Sequence, residues 1–406
     1  GELEYACKEN RLVTLSGFGE KTQKKILKGI EFIKMHKGEF LYGDVFGISE
    51  VIRDRFKTIV KPEFVEICGS IRRKREVVKN VDILVCGEDR ERLSSFFVSM
   101  PEIEEVTLKG DTKISCRLIT GIEADLRMVS EAEFSFALLY FTGSKEHNIR
   151  LRDISKKKGW NLNEYGLFDG DNPIYLHSEE EIYRALNLSY IPPELREDMG
   201  EIEAAEEGML PDLVMLDDIK GVFHIHTEFS DGMDSVEKMA YAAREMGFSY
   251  IGVSDHSKSA YYAGGLKVDD IYRQWEIIDE LNESNKNFHI FKGIESDILP
   301  DGSLDYDEKI LEGFDFVIAS IHSNFNLKKD DQMKRILKAI ENPYTNMLGH
   351  PTGRLLLSRD GYDVDMRTII DAAAEYNVII ELNASPYRLD IDWRHLRYAK
   401  EKGELI

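Results

Sequence analysis

Histidines gather in the second half of this sequence where apolar runs end. His224-Ile225-His226 closes one run, and Asp231 follows within Ser230-Asp231-Gly232. Asp255-His256 closes a second, Glu295 a third, His322 a fourth and His350 a fifth; a sixth ends in Glu381-Leu382-Asn383. Side chains alternate along a strand, so His224 and His226 should face the same way and can share a metal. One such histidine is usually a core or surface residue. Five of the chain's ten, in step with an aspartate and a glutamate, read instead as a metal centre. Imidazole and carboxylate together suit Zn2+, Mn2+ or Fe2+ better than Ca2+. The candidates are His224, His226, Asp231, His256, Glu295, His322 and His350, more than one ion can use. A two- or three-metal cluster is expected, of the kind that activates water and clamps both oxygens of a phosphoryl transfer.

A second group lies in the first half. Gly69-Ser70-Ile71-Arg72-Arg73 follows a run ending at Cys68, then come Asn80-Val81-Asp82 and Asp125-Leu126-Arg127. Gly-Ser at a strand end brings backbone N–H groups to a triphosphate. Arg73 can pair with phosphate oxygens, and carboxylates on neighbouring strands can hold Mg2+ against them. Taken alone, the arginines of 72–75 read better as a solvated basic loop. Tyr140-Phe141 beside Gly143 can shape a flat pocket for a sugar and base, though buried Tyr and Phe are ordinary core residues. Near the start, Gly17-Phe18-Gly19 precedes a Lys-rich helix beginning near Lys21. Paired glycines there resemble a helix-hairpin-helix, in which backbone N–H groups face a DNA phosphate. A plain helical turn explains so short a signal equally well.

The elements that must carry these groups differ between the halves. Behind the acidic stretch, strands are expected at 222–226, 250–254, 289–293, 316–321, 347–350 and 378–383. Helical patterns fill gaps such as 235–246, 268–283 and 366–376. Six β-then-α units suggest a TIM-type barrel, whose functional residues collect at the C-terminal ends of its strands. The front half reads as mixed α+β, with strands at 64–68, 81–85, 115–119 and around 124–126.

Charge divides the chain in the same way. The net charge is −22, yet residues 1–158 hold 29 Lys and Arg against 26 Asp and Glu, while 201–406 hold 22 against 40. The near-neutral front half can carry basic patches for phosphates. The acidic back half would repel DNA unless cations offset its carboxylates. Residues 201–218, with seven acids and no base, mark the boundary. Four scattered cysteines without a CxxC pair read as reduced, buried and intracellular. No apolar stretch suits a membrane span or an export signal, so a cytoplasmic protein is expected.

The back-half motifs are recognisable in their order. His224-x-His226-Thr227 with Ser230-Asp231-Gly232, Ser254-Asp255-His256, Glu295, Ile321-His322-Ser323 and Gly349-His350-Pro351 resemble the PHP family of phosphoesterases. The resemblance covers about 219–406. It implies a distorted (β/α)7 barrel and a Mn2+- or Zn2+-dependent cluster held by the seven candidates. It also implies a final strand with an Asp-x-His ligand pair, which would begin about where this chain stops, so the expected barrel lacks its last strand.

The front-half motifs, with Tyr140-Phe141-Thr142-Gly143-Ser144, resemble family X DNA polymerases, the group of polymerase beta, over about 1–200. That likeness implies a triphosphate held by Gly69, Ser70 and Arg73, and a sugar lined by Tyr140, Phe141 and Gly143. It implies a base edge met by Asn148, a template side faced by Arg152, and DNA gripped at Gly17, Gly19 and Lys21. Asp82 and Asp125 would hold Mg2+ or Mn2+. Asn80 stands where the family has its first metal-binding aspartate, so nucleotidyl transfer should be weakened. The family's N-terminal small domain would precede the start of this chain.

The implied organisation is a helix-hairpin-helix at 1–42, a nucleotidyltransferase palm at 43–130, a nucleotide-binding subdomain at 131–200, an acidic linker at 201–218 and a PHP domain at 219–406. Such a fusion resembles bacterial and archaeal family X polymerases of base-excision repair, which fill short gaps and trim 3′ ends as 3′–5′ exonucleases. Gapped or nicked DNA and deoxynucleoside triphosphates would be the partners of a monomer. A PHP-type small-molecule phosphatase, and a non-catalytic binder of DNA ends, remain as other readings.

Overall fold

The computed structural model describes residues 2–12 and 19–403. The chain forms two compact units, one ending at Asp212 and the next beginning at Leu213.

The first unit opens with helices Glu2–Lys8 and Glu20–Met35. The turn expected around Gly17 lies outside the described residues. A five-stranded sheet follows: β1 (Val65–Ile67), β2 (Asn80–Cys86), β3 (Ile103–Lys109), β4 (Lys113–Leu118) and β5 (Glu123–Val129). Its order is β1-β2-β5-β4-β3, and only β2 and β5 run parallel. Alternation does the positioning. Ala124, Leu126 and Met128 of β5 are buried in the core, so Glu123, Asp125 and Arg127 take the other face. In β2, Val81 and Ile83 turn inward and leave Asn80 and Asp82 on that same face.

A second cluster in this unit gathers Phe136, Leu139, Leu151, Ile182 and Ile191, among others. Ile202 and Ala205 join it, because Glu201–Glu207 is a helix rather than an extended linker. Its three-residue spacing turns the apolar pair inward while Glu203, Glu206 and Glu207 face out or lie at its rim, which a count of acids hides.

The arginines of 72–75 are not a solvated loop. Both terminal nitrogens of Arg72 bind the Glu179 carboxylate, at 3.1 and 2.6 Å, and one also binds Thr142 Oγ1 at 2.7 Å. Arg196, wholly buried, adds its own bond to Glu179 at 2.6 Å. Burial alone would raise the Glu179 carboxyl, but the guanidiniums of Arg196 and Arg72 outweigh it and bring it down to about 2. This pair of ion pairs fastens the segment after β1 to helix Glu179–Ala185.

In the second unit six parallel strands pair in chain order: β6 (Gly221–Ile225), β7 (Tyr250–Val253), β8 (His289–Asp297), β9 (Phe316–Ser320), β10 (Met347–Leu348) and β11 (Ile379–Ile380). Helices between them, such as Val236–Glu245, Val268–Ser284, Lys329–Ile340 and Met366–Tyr376, make this a TIM-like α/β unit. An aromatic layer fills its floor: the Phe223 ring lies 5.0 Å from Phe316 and 5.6 Å from Phe291. Gly252 and Gly293 make room for it. A Cβ on either would sit 2.2 Å from Phe223 or 2.1 Å from Phe316.

Replacing Glu179 by Gln would leave two buried guanidiniums without their anion. We expect a loss of about 3–5 kcal/mol of unfolding free energy, read by urea denaturation. The wild-type carboxylate's contribution is fully present above its ordinary value of 4.5 and disappears as pH falls toward 2. The variant should therefore lose less stability than the wild type across that acid window, the remaining decline coming from other carboxylates such as Glu201 and Glu381.

Candidate metal centre and nucleotide cleft

Glu295, on β8, has no solvent exposure and stands inside a closed ring of imidazoles. Going round through His224, His226, His256, His322, His350 and back, neighbouring ring centroids are 4.4 to 5.6 Å apart. Glu295 Oε1 lies 2.9 Å from His224 Nε2 and 3.1 Å from both His322 Nε2 and His350 Nε2. Oε2 lies 2.8 Å from His256 Nδ1 and 3.4 Å from His226 Nε2. Asp231 completes the set, 2.9 Å from His226 Nδ1 and 3.6 Å from His256 Nε2. All seven sequence candidates thus converge.

Even strand alternation is not what aligns the first two. The register of β6 shifts between Val222 and Ile225, and His224 adopts φ +62°, a left-handed conformation uncommon for a residue other than glycine. The backbone is bent so that both imidazoles reach one centre.

The donor set fits metal ions. Ligand atoms fall within 4.8 Å of one another in three overlapping groups: His224, His226 and Glu295; His226, Asp231 and His256; His256, Glu295 and His322. His256 Nδ1 and Glu295 Oε2 are buried and 2.8 Å apart, yet their geometry is not that of a hydrogen bond. Lone pairs converging without a shared proton suit a cation between them. Burial lowers His224, but Glu295 and Glu381 outweigh it and push the imidazole up to about 10. His322, buried beside Glu295 and Asp297, goes up to about 9 in the same way. Glu295 itself is held well below the carboxylate range: His224 and His322 overcome its burial. Metal binding here would release protons.

Two carboxylates outside the expected set support it. Glu381 Oε1 lies 2.5 Å from His224 Nδ1, and Asp297 Oδ1 lies 2.5 Å from His322 Nδ1. Each fixes the tautomer that turns Nε2 to the centre. Asp297 sits two residues after Glu295 on one strand, a same-face spacing that could have flagged it. Asp255 holds the loop before Asp231 by accepting from Thr227 N and Oγ1 and from Gln274 Nε2, each at 2.7 Å, and from Ser230 Oγ.

In the first unit, Gly69, Ser70, Arg73, Asn80, Asp82, Tyr140, Phe141, Gly143, Asn148 and Arg152 all line one cleft of about 600 Å3. Asp125 adjoins it, since it pairs with Asp82 in the β2–β5 register. Burial and the charge of Asp125 push the Asp82 carboxyl up to about 6. Asn80 Nδ2 donates to Asp82 Oδ1 at 2.8 Å, and Lys113 Nζ lies 3.0 Å from Asp125 Oδ2. Gly69, with φ +64°, is needed: a Cβ there would lie 2.3 Å from Asp82 Oδ2.

Arg73 is not idle in this cleft. Its Nε donates to Glu197 Oε1 at 2.8 Å, its Nη1 donates to the Thr142 carbonyl, and Arg75 reaches the other Glu197 oxygen at 3.4 Å. Asn148 Nδ2 donates to the Tyr140 carbonyl at 2.7 Å, and Arg127 lies over the Phe141 ring at 4.8 Å. Glu197, absent from the expected set, was hidden because nothing in the sequence ties it to Arg73. Of the expected DNA-gripping residues, Gly19 caps helix Glu20–Met35 and Lys21 is exposed in its first turn, while Gly17 lies outside the described residues.

Comparison with known proteins meets both sites. The family described as DNA polymerase beta thumb matches residues 137–197, and the PHP domain family matches 223–385. The DNA polymerase/3′-5′ exonuclease PolX of Bacillus subtilis is 38% identical over 405 residues, covering 99% of this chain and 71% of the relative. A probable phosphatase of Caldanaerobacter subterraneus is 30% identical over 175 residues, 40% of this chain and 62% of that protein. The human DNA-directed DNA/RNA polymerase mu is 39% identical over 100 residues, 24% of this chain and 20% of its own. A thumb match in one unit, a PHP match in the other and one relative aligned along almost the whole chain lead to a single conclusion: this chain belongs to the PolX family, family X DNA polymerases that carry a PHP domain.

Proposed function

We propose that this chain processes DNA 3′ ends at two centres, adding deoxynucleotides in the first unit and removing them in the second. The ring of five imidazoles about Glu295 carries the second activity. The Asp82–Asp125 pair facing the cleft carries the first. On this reading residues 1–42 grip DNA through Gly17, Gly19 and Lys21, residues 43–130 form the palm, 131–200 bind the nucleotide, and 201–218 lead into the PHP domain. The substrates are gapped or nicked DNA and deoxynucleoside triphosphates, and the protein works as a cytoplasmic monomer. Four free, buried cysteines suit a reducing compartment, and no described helix is long and apolar enough to cross a membrane.

In the second unit the seven convergent residues would hold two or three Mn2+ or Zn2+ ions. Bound there, the ions neutralise a phosphodiester and activate water for attack on it. Glu381 and Asp297 keep His224 and His322 turned toward the centre, and Asp255 keeps the Asp231 loop in place. In the first unit Asp82 and Asp125 would hold Mg2+ or Mn2+, which offset charge on a triphosphate. Arg73 exchanges the Glu197 carboxylate for phosphate oxygens. Tyr140, Phe141 and Gly143 then flank the sugar, Asn148 the base edge, and Arg152 the template side. Asn80 turns an amide N–H toward Asp82 where a third oxygen would serve, which supports weak transfer.

A small-molecule phosphatase is the second reading, favoured by the probable phosphatase that matches this unit. Three outcomes follow. Asn80→Asp should raise single-nucleotide insertion on gapped DNA by about tenfold or more, equivalent to about 1.4 kcal/mol of barrier. Glu295→Gln should cut 3′-end degradation by about a hundredfold or more and leave insertion intact. Chelation followed by Mn2+ or Zn2+ should abolish and restore degradation of a labelled 3′ end. Hydrolysis of a small phosphate ester with intact 3′ ends would favour the phosphatase.

A further inference from the structure

The mouth of the metal centre carries groups that none of the ligand roles use. The segment after β7 contains Tyr261 and Tyr262, exposed by 88% and 71%. Scattered exposed aromatics need no explanation, but this segment is locked. Ser257 N donates to the Glu295 carbonyl at 3.0 Å, Leu266 N to the His256 carbonyl at 2.8 Å, and Gly265 N to the Ala260 carbonyl at 3.1 Å. Ser259 Oγ donates to Asp305 at 2.7 Å. These bonds fix the backbone that carries Tyr262, whose ring centroid lies 6.1 Å from that of His256, edge to face, with most of its surface in solvent.

A second locked segment follows β11. It leaves Glu381, the partner of His224, and is pinned by Asn383 N to the Asp390 carbonyl at 2.6 Å and Arg388 N to the Ser385 carbonyl at 2.8 Å. Arg354 braces it: Nε donates to the Arg388 carbonyl at 2.9 Å, Nη2 to the Leu389 carbonyl, and Nη1 to Asp392 at 2.5 Å. Arg354 is therefore structural. Arg388 is not: among the described residues its guanidinium has no hydrogen bond and no ion pair. Both segments stand at the same centre: the Tyr262 ring lies against His256, and the segment of Arg388 is tied through Asp390 to Thr352 N and Oγ1, two residues past His350, at 3.0 and 2.9 Å.

An unpaired guanidinium on a braced loop, in a unit so rich in carboxylates, has an anion as its natural partner. A largely bare aromatic ring on a braced segment beside a phosphoesterase centre has a nucleobase as its natural partner. We propose that Tyr262 and Arg388 form a subsite for the 3′-terminal part of a single DNA strand, in which the Tyr262 ring stacks on the terminal base and Arg388 pairs with a backbone phosphate. They act as positioning residues. The inference rests on the exonuclease reading of the same site and narrows its substrate to unpaired 3′ ends that keep their base.

The test uses the full chain with its metals and two single-stranded oligonucleotides, one ending in an ordinary 3′ nucleotide and one with tetrahydrofuran in place of that base. Wild type should favour the first by between roughly fivefold and a hundredfold in kcat/KM, the range for one stacked base. Tyr262→Ala should bring the ratio to about one, while Tyr262→Phe keeps it. Both substrates are read on one preparation, so partial misfolding or metal loss cancels. Arg388→Ala should raise KM and flatten the slope of log kcat/KM against log salt by about 0.7, the value for one phosphate on a single strand. Arg388→Lys should recover that slope. An unchanged ratio in Tyr262→Ala, or an unchanged slope in Arg388→Ala, overturns the subsite and leaves the exonuclease reading standing. Failure of wild type to shorten either oligonucleotide overturns the exonuclease reading, and the subsite with it.

Discussion

A carboxylate shut away from water must be protonated or find cations, and the second unit is organised around that requirement. Glu295 has no solvent exposure and is held well below the ordinary carboxylate range. Leaving it charged and unpaired would cost several kcal/mol. Five imidazoles from four strand ends answer it, and three of them find a carboxylate for the second nitrogen. Glu381 and Asp297 answer His224 and His322. Asp231 answers His226, and Asp255 fixes the loop that brings Asp231 into reach. The left-handed backbone at His224 belongs to the same arrangement, since the register of the strand shifts where it delivers the two imidazoles.

The first unit meets a milder form of that constraint. Asp82 and Asp125 sit side by side because β2 and β5 pair in register, and their mutual repulsion with burial raises Asp82 to about 6. Lys113 and the Asn80 amide soften the repulsion. Across the cleft Arg73 and Arg75 share Glu197, and Arg75 also reaches Glu76. An arriving nucleotide with its cations would satisfy both walls at once, cation to Asp82 and Asp125, anion to Arg73. The Arg72–Glu179–Arg196 network holds the wall that carries Arg73, so the buried ion pairs serve the cleft geometry as well as stability.

What sequence makes legible here follows from how far apart partners stand in the chain. The seven metal-site candidates are readable because a parallel barrel places strand ends together by rule, so order and spacing alone gather them. Asp82 and Asp125 are readable for a similar reason, as alternation puts each on a defined face. Arg72 was misread as part of a solvated basic loop because Glu179, 107 positions away, neutralises it. Glu197 escaped notice through its distance of 124 positions from Arg73. Local charge misled again at 201–207, where the apolar pair Ile202 and Ala205 outweighs the acids and folds a helix onto the core. Glu381 and Asp297 stand in runs already singled out, but their task depends on which imidazole nitrogen is left over, a matter of three-dimensional geometry.

Charge then shapes how the two units meet one substrate. Residues 201–406 carry 40 acids against 22 bases, so the field around the barrel repels a duplex with a charge every few ångströms. Ions held at the centre would cancel that field only nearby, within about a Debye length of 8–10 Å. A strand end can come that close with few phosphates in the repulsive zone. A continuous duplex cannot, since many of its phosphates would lie outside the neutralised patch. Residues 1–158, with 29 bases against 26 acids, carry no such excess of negative charge. On the exonuclease reading, an acidic unit that gathers cations at one centre would admit a strand terminus more readily than the interior of a duplex.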